Sequence, residues 1–154
     1  MRSKFNIILF NPQIPPNTGN IIRLCSNTGS DLHLIEPLGF KLDEKSLRRA
    51  SLDYVSNVKI QTYPSLEKCL KYLNKKKSYF ITKFGNTLYS SVSFSQGDNL
   101  VFGSEISGLP ENFLKIQNEK NKLYIPMLPK NRSLNLSNAV SICLYEAWRQ
   151  ISFS

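Results

Sequence analysis

Short apolar runs alternate along this chain with segments whose apolar residues recur at helical spacing, and that alternation narrows the fold more than any other feature. Phe5 to Phe10, Leu32 to Ile35, Val58 to Tyr63, Tyr79 to Thr82, Leu100 to Phe102 and Leu123 to Ile125 read as short strands. Between most of them lie segments with helical spacing, such as Leu66, Cys69, Leu70 and Leu73, with Ser65 placed to cap the start. Strand and helix in succession call for an α/β fold: a mainly parallel sheet with helices on both faces. No internal repeat, low-complexity tract or linker breaks the pattern, so residues 1–154 read as one domain. That length buries a core without cross-links.

Composition says what such a domain would meet. Hydrophobic residues make up 41% of the chain, too many for a disordered or purely solvating protein. Twenty Lys and Arg against 11 Asp and Glu leave a formal charge of +9, a field that favours polyanions. Lys75-Lys76-Lys77 is most simply a solvated helix end, with RNA contact as the sharper alternative. Cys25, Cys69 and Cys143 are far apart, each in an apolar helical pattern, and read as buried small hydrophobes rather than a disulfide frame or zinc site. No apolar run approaches the roughly 18 residues that cross a bilayer, and the N-terminus lacks a signal-peptide layout, so the expectation is a soluble, cytoplasmic chain with no membrane partner.

In parallel sheets of this kind ligands sit beyond the carboxyl ends of the strands. Three loops rich in Gly, Pro and Asn follow such ends: Asn11 to Asn20, Gly103 to Pro110, and the stretch from Ile125 through Pro126, Pro129 and Asn135. Gathered at one rim, they would turn backbone amides and carbonyls toward a ligand. The sequence contains no GxGxxG, no GxxxxGK[ST] and no paired Cys or His, so Rossmann hydride transfer, P-loop phosphoryl transfer and zinc hydrolysis lose support, and no metal is expected. The single histidine, His33, alternates with Leu32 and Leu34 and reads as structural. What remains is a neutral pocket beside a basic surface. Ser133-Leu134-Asn135-Leu136-Ser137-Asn138 suits it: the leucines supply an apolar seam, while Ser133, Asn135 and Asn138 supply neutral donors and acceptors, with Ser137 or Asn138 as the expected helix cap.

These loops resemble the three motifs of the SPOUT superfamily of RNA methyltransferases: "NTGNIIRLC" (Asn17 to Cys25), "FGSEISGLP" (Phe102 to Pro110) and "IPMLPKNRSLNLSNAVSICLYEAW" (Ile125 to Trp148). The likeness extends through "LHLIEPLGF" and "LRRASLDY", and is greatest to the minimal single-domain branch that 2'-O-methylates the wobble nucleotide, C34 or U34, of certain tRNAs, with a leucine tRNA as the expected acceptor. The resemblance implies a C-terminal trefoil knot, S-adenosyl-L-methionine bent in a cleft of knot loops, a tRNA anticodon loop as partner and a homodimer packed through the last helix. The alternatives are a 2'-O-methyltransferase of another tRNA or rRNA position, and a non-catalytic knotted RNA-binding dimer.

Carried over by position, the resemblance implies cofactor contacts at Ile81, Gly103, Ile125 and Ser133, with Leu134 and Asn138 beside them. At Gly103 a side chain would be expected to block approach to the ligand. Arg23 and Tyr145 are the implied catalytic residues. An arginine is a poor base, so Arg23 is read as a phosphate clamp and a stabiliser of developing alkoxide charge. Asn17, Asn20, Glu105, Arg48, Arg49, Lys130 and Arg132 are the expected substrate contacts. Relatives often carry proline and arginine where this chain has Ser104 and Ser107. That departure puts RNA specificity in question while the cofactor side stays intact.

Overall fold

The computed structural model describes residues 4–43, 45 and 57–154; the "LRRASLDY" stretch with Arg48 and Arg49 lies outside them. In chain order the elements are β1 (Asn6–Phe10), α1 (Pro15–Thr28), β2 (Asp31–Ile35), β3 (Ile60–Tyr63), α2 (Leu66–Tyr72), β4 (Ser78–Ile81), β5 (Thr87–Leu88), β6 (Asn99–Phe102), α3 (Glu111–Lys115), a 3-10 turn (Glu119–Asn121), β7 (Lys122–Tyr124) and α4 (Leu136–Gln150). The apolar runs become strands with small shifts: Val58 precedes β3, and Thr82 and Ile125 lie just past β4 and β7. β5 has no sequence counterpart, because two residues carry no period; pairing with β7 alone defines it.

The strands form one sheet in the order β3-β2-β1-β6-β4-β7-β5, and every neighbouring pair is parallel. From the centre, β1, β2 and β3 run outward to one edge, whereas β6, β4, β7 and β5 build the other. The order therefore reverses between β1 and β6, and the loops after these strands part there to leave a crevice.

Alternation along the strands fills two cores. Ile7 and Leu9 of β1 with Leu100 and Phe102 of β6 face α1 and α4, where Ile21, Ile22, Cys25, Val140, Cys143 and Leu144 meet them. Ile8, Phe80 and Val101 point the other way, to Leu66 and Cys69 of α2 and Leu114 of α3. Strands buried on both faces explain why the sequence shows continuous apolar runs rather than polar alternation. α1 begins with Pro15 and Pro16, which have no amide hydrogens to leave unpaired, and stops at Gly29, whose φ of 69° is the left-handed cap that a side chain would strain. α2 starts as expected, with the Ser65 hydroxyl accepting from the Lys68 amide at 3.2 Å.

At the amino ends of the strands, buried polar groups satisfy one another. The Asn6 amide donates to Asn99 Oδ1 at 2.9 Å, and Asn6 Oδ1 faces His33 Nε2 at 3.2 Å. His33 Nδ1 meets the Tyr63 hydroxyl at 3.1 Å. Burial, aided by the positive charge of Lys59, pushes His33 down from 6.5 to about 4, so it stays neutral in the core. His33 is a structural histidine in the middle of β2, and it does not line the cleft described below.

Candidate active site

Three loops meet at the carboxyl rim, and a carboxylate joins the first two. The Glu105 side chain accepts from the Gln13 amide at 2.9 Å and the Ile14 amide at 2.7 Å, both at the mouth of α1. The proline-started helix has no side-chain cap of its own, so Glu105 supplies the negative charge its first turn favours. Asn17 Nδ2 donates to the same carboxylate at 3.2 Å.

Asn17 then carries the connection to the third loop. Its Oδ1 accepts from Asn135 Nδ2 at 3.0 Å. Asn135 Oδ1 in turn accepts from the Ser137 amide at 2.9 Å and the Ser137 hydroxyl at 2.6 Å. Asn135 is thus the cap of α4, which corrects the expectation that Ser137 or Asn138 would be. The non-helical backbone at Asn135 lets its side-chain oxygen reach the Ser137 amide, whereas Ser137 and Asn138 already lie inside the helix.

The loop after β6 closes on itself: the Gly108 amide donates to the Ser104 carbonyl at 2.9 Å. A Cβ at Gly103 would lie 2.4 Å from the Gly108 carbonyl carbon and 2.5 Å from the Leu109 nitrogen. Glycine is required here by the loop's own backbone, a different reason from the ligand approach expected of it. Ser104 and Ser107 both sit in this loop at the cleft.

These loops wall a cleft of about 710 Å³, inside the ~300–1,000 Å³ range of small-molecule sites. Ile81, Leu109, Ile125, Leu136 and Ala139 give it apolar walls, and Ser133, Leu134, Asn135 and the backbone from Gly103 to Gly108 complete them. Arg132 lies at its edge. Among the described residues no group of His, Cys, Asp or Glu is arranged to hold a metal. Thiolate chemistry is disfavoured as well, since burial pushes Cys69 and Cys143 up to about 12 and Cys25 further. The wall chemistry, apolar with neutral hydrogen-bonding groups, fits a nucleoside-like ligand such as S-adenosylmethionine.

Of the residues expected at the site, the cleft brings together Asn17, Ile81, Gly103, Glu105, Ile125, Arg132, Ser133 and Leu134. Glu105 lines the cleft, and its carboxylate accepts from the Gln13 and Ile14 amides before α1 and from Asn17 within it, so it ties the β6 loop to the start of α1. Asn138 is exposed on the first turn of α4 and is not part of the cleft wall. Lys130 is exposed in the turn before the cleft edge, with a φ of 68°. Asn20 and Arg23 share the exposed stripe of α1, one turn apart, outside the cleft wall. Tyr145 is 43% exposed on α4, and its ring meets Trp148 edge-on at 5.6 Å. Thr82, Phe84, Ile106 and Met127 line the cleft without having been singled out. A chance to find the first two lay in the rule that residues just past a parallel strand face the crevice.

Known proteins are similar to this chain over nearly its whole length. The profile of the SpoU rRNA Methylase family matches residues 4–145. A tRNA (cytidine(34)-2'-O)-methyltransferase from Saccharophagus degradans is 51% identical over 150 residues, covering 97% of each chain. The Escherichia coli K12 protein of the same name is 49% identical over 148 residues, covering 96% of this chain and 94% of that one. A structure described as giving insights into the 2-OH methylation of C/U34 on tRNA superposes with a TM-score of 0.90 at 38% identity, covering 97% of each chain. The SpoU methyltransferase AviRb of Streptomyces viridochromogenes, solved with AdoMet, superposes with a TM-score of 0.85 at 25% identity over 99% of this chain and 60% of its own.

Proposed function

Because the chain belongs to the SpoU rRNA Methylase family, we infer that its rim cleft is the cofactor site of a tRNA 2'-O-methyltransferase acting on the wobble nucleotide, C34 or U34. The enzyme uses S-adenosylmethionine, which supplies a methyl group on a sulfonium whose charge is discharged as the methyl leaves. The observation that carries this reading is the Glu105–Asn17–Asn135 connection, which holds all three rim loops around one neutral, apolar-walled cleft. The first domain boundary to test is none at all: residues 1–154 act as one methyltransferase unit.

The chain's own part is alignment. Ile81, Ile125 and Leu134 offer flat apolar contact to the adenine and methionine portions, and Ser133 with the Gly103–Gly108 backbone offers neutral donors and acceptors to ribose and amino-acid groups. Arg23, on the exposed stripe of α1, clamps a substrate phosphate and stabilises negative charge developing on the attacked 2'-oxygen. Tyr145 supplies a phenol on the neighbouring helix face, oriented by its edge-on contact with Trp148. Lys130 and Arg132 hold the RNA backbone at the cleft edge, in place of the arginine that relatives carry near Ser107.

The finer statements of this reading are a leucine tRNA as acceptor, a homodimer, the trefoil knot and a cytoplasmic location. Support for the dimer comes from Tyr145, Trp148 and Phe153, an aromatic series along and beyond α4 whose outer members are exposed. The knot is what the resemblance to the SPOUT methyltransferases implies; the bond from the Thr82 amide to the Leu123 carbonyl at 2.9 Å continues the parallel β4–β7 ladder that sets Ile81 and Ile125 side by side at the rim. Among the described residues no helix is long and apolar enough to cross a membrane.

The test is to incubate the protein with labelled S-adenosylmethionine and total tRNA, then map the product by nuclease digestion and mass spectrometry. One methyl on the 2'-oxygen of nucleotide 34 is expected. A methyl on a base, or on a ribose outside the anticodon loop, overturns the wobble assignment.

A further inference from the structure

Phe84 is the most exposed aromatic residue beside the cleft, 72% open to solvent, yet the turn that carries it is pinned. Its amide donates to the Thr82 hydroxyl at 3.2 Å, and the Gly85 amide donates to the Thr82 carbonyl at 3.0 Å. Beneath it, Gly85 presses on β7: a Cβ there would lie 2.7 Å from the Lys122 carbonyl oxygen and from the Leu123 carbonyl carbon. A large apolar ring held out into water by a fixed turn has no packing role in the fold. The ammonium of Lys83 stands 5.2 Å from the ring centroid, the arrangement of a cation over an aromatic face. Ile106, 79% exposed, and Arg132 line the same cleft.

We propose that Phe84 is a stacking platform for one unpaired nucleobase of the substrate RNA, with Lys83 placed for the adjoining phosphate. The proposal rests on the tRNA methyltransferase reading and names how that enzyme holds the strand. An aromatic face with a cation beside it is the pairing that single-stranded nucleic acid rewards, because every base has a π-face and every linkage a charge. The turn is preorganised, so little ordering opposes the contact. An apolar protein partner suits the site less well, since Lys83 stands beside the exposed ring, Arg132 lines the same cleft and the chain carries +9 overall. The cofactor is served by the inner wall at Ile81, Gly103 and Ile125, which leaves the mouth for the acceptor.

Steady-state kinetics with tRNA, direct tRNA binding by fluorescence anisotropy, and cofactor binding by calorimetry test this on the full chain and on Phe84→Ala, Phe84→Leu and Phe84→Tyr. Phe84→Ala and Phe84→Leu are expected to raise KM for tRNA and the Kd of unmodified tRNA roughly tenfold, while the cofactor Kd stays within about twofold of the wild type and Phe84→Tyr keeps wild-type values. Equal performance of leucine and phenylalanine overturns stacking in favour of simple apolar contact. A weakened cofactor Kd in the alanine variant overturns it in favour of an adenine wall. Unchanged tRNA binding in all variants overturns it outright. If the wild type transfers no methyl to tRNA, the functional reading fails, and the anisotropy comparison still decides the platform.

Discussion

Asn17 and Asn135 are 118 residues apart in the chain, and the amide of the second donates to the amide oxygen of the first at 3.0 Å. Around that single contact, the first helix, the β6 loop and the cap of the last helix become one piece. Asn135→Ala removes both the cap and the bridge, and is expected to lower stability by about 1–2 kcal/mol. Asn17→Ala loses only the bridge and the tie to Glu105. In a double-mutant cycle by urea unfolding, the two changes should couple by about 0.5–1.5 kcal/mol; strict additivity would show that the bridge contributes nothing.

Gly103→Ala should damage the cleft more than the fold. The new methyl meets the Gly108–Leu109 backbone, so the loop must shift. Cofactor affinity is expected to fall at least about tenfold by calorimetry, the outcome of misplacing a built site by a fraction of an ångström. Far-UV circular dichroism should stay native. Wild-type affinity in this variant would mean that the loop adapts.

Arg23→Ala is expected to keep the fold and the cofactor Kd while turnover on tRNA drops about a hundredfold, the scale of one lost transition-state contact. The decisive comparison is kcat against cofactor Kd. Normal turnover would return Arg23 to a structural role, and a collapse of cofactor binding would refute the division of labour between α1 and the cleft wall.

His33 makes stability depend on pH in a defined window. Its folded value of about 4 lies below the ordinary 6.5, so the unfolded chain binds more protons between these limits. Stability contributed by the neutral ring is therefore complete above about 6.5 and is lost as pH falls toward 4, a swing on the order of 3 kcal/mol. Urea midpoints between pH 4 and 7 should show this slope, and His33→Gln should flatten it. An unchanged slope would assign the acid sensitivity elsewhere.

The sheet was legible because β1, β2 and β6 are buried on both faces and so announce themselves as apolar runs. Thr87 and Leu88 were not, since two residues become a strand only when β7 lies beside them. Gly103, Ile125 and Ser133, expected from motif position, line the cleft, and the rim placement of their loops followed from the parallel sheet. The partner of each polar side chain was hidden. Nothing in "NTG" says that Asn17 bonds at once to Glu105 and Asn135, because the first turn of α1, the β6 loop and the cap of α4 are far apart in the chain and their meeting is a product of sheet order. Phe84 escaped for a related reason: an aromatic after a strand is ordinary in sequence, and only its exposure on a pinned turn makes it notable.

The pairing at the centre of the sheet sets how fast this molecule can form. β1 finds its neighbour β6 through Asn6 and Asn99, 93 residues away, and strands β2 to β5 are made in between. Parallel partners so distant gain nothing until a long loop has closed. Until then β1 and α1 expose the apolar faces that β6 and α4 later cover, which is when such a chain is most exposed to aggregation. The crevice at the sheet centre is therefore a late event in folding, and a ligand that fills it selects only those molecules that have finished.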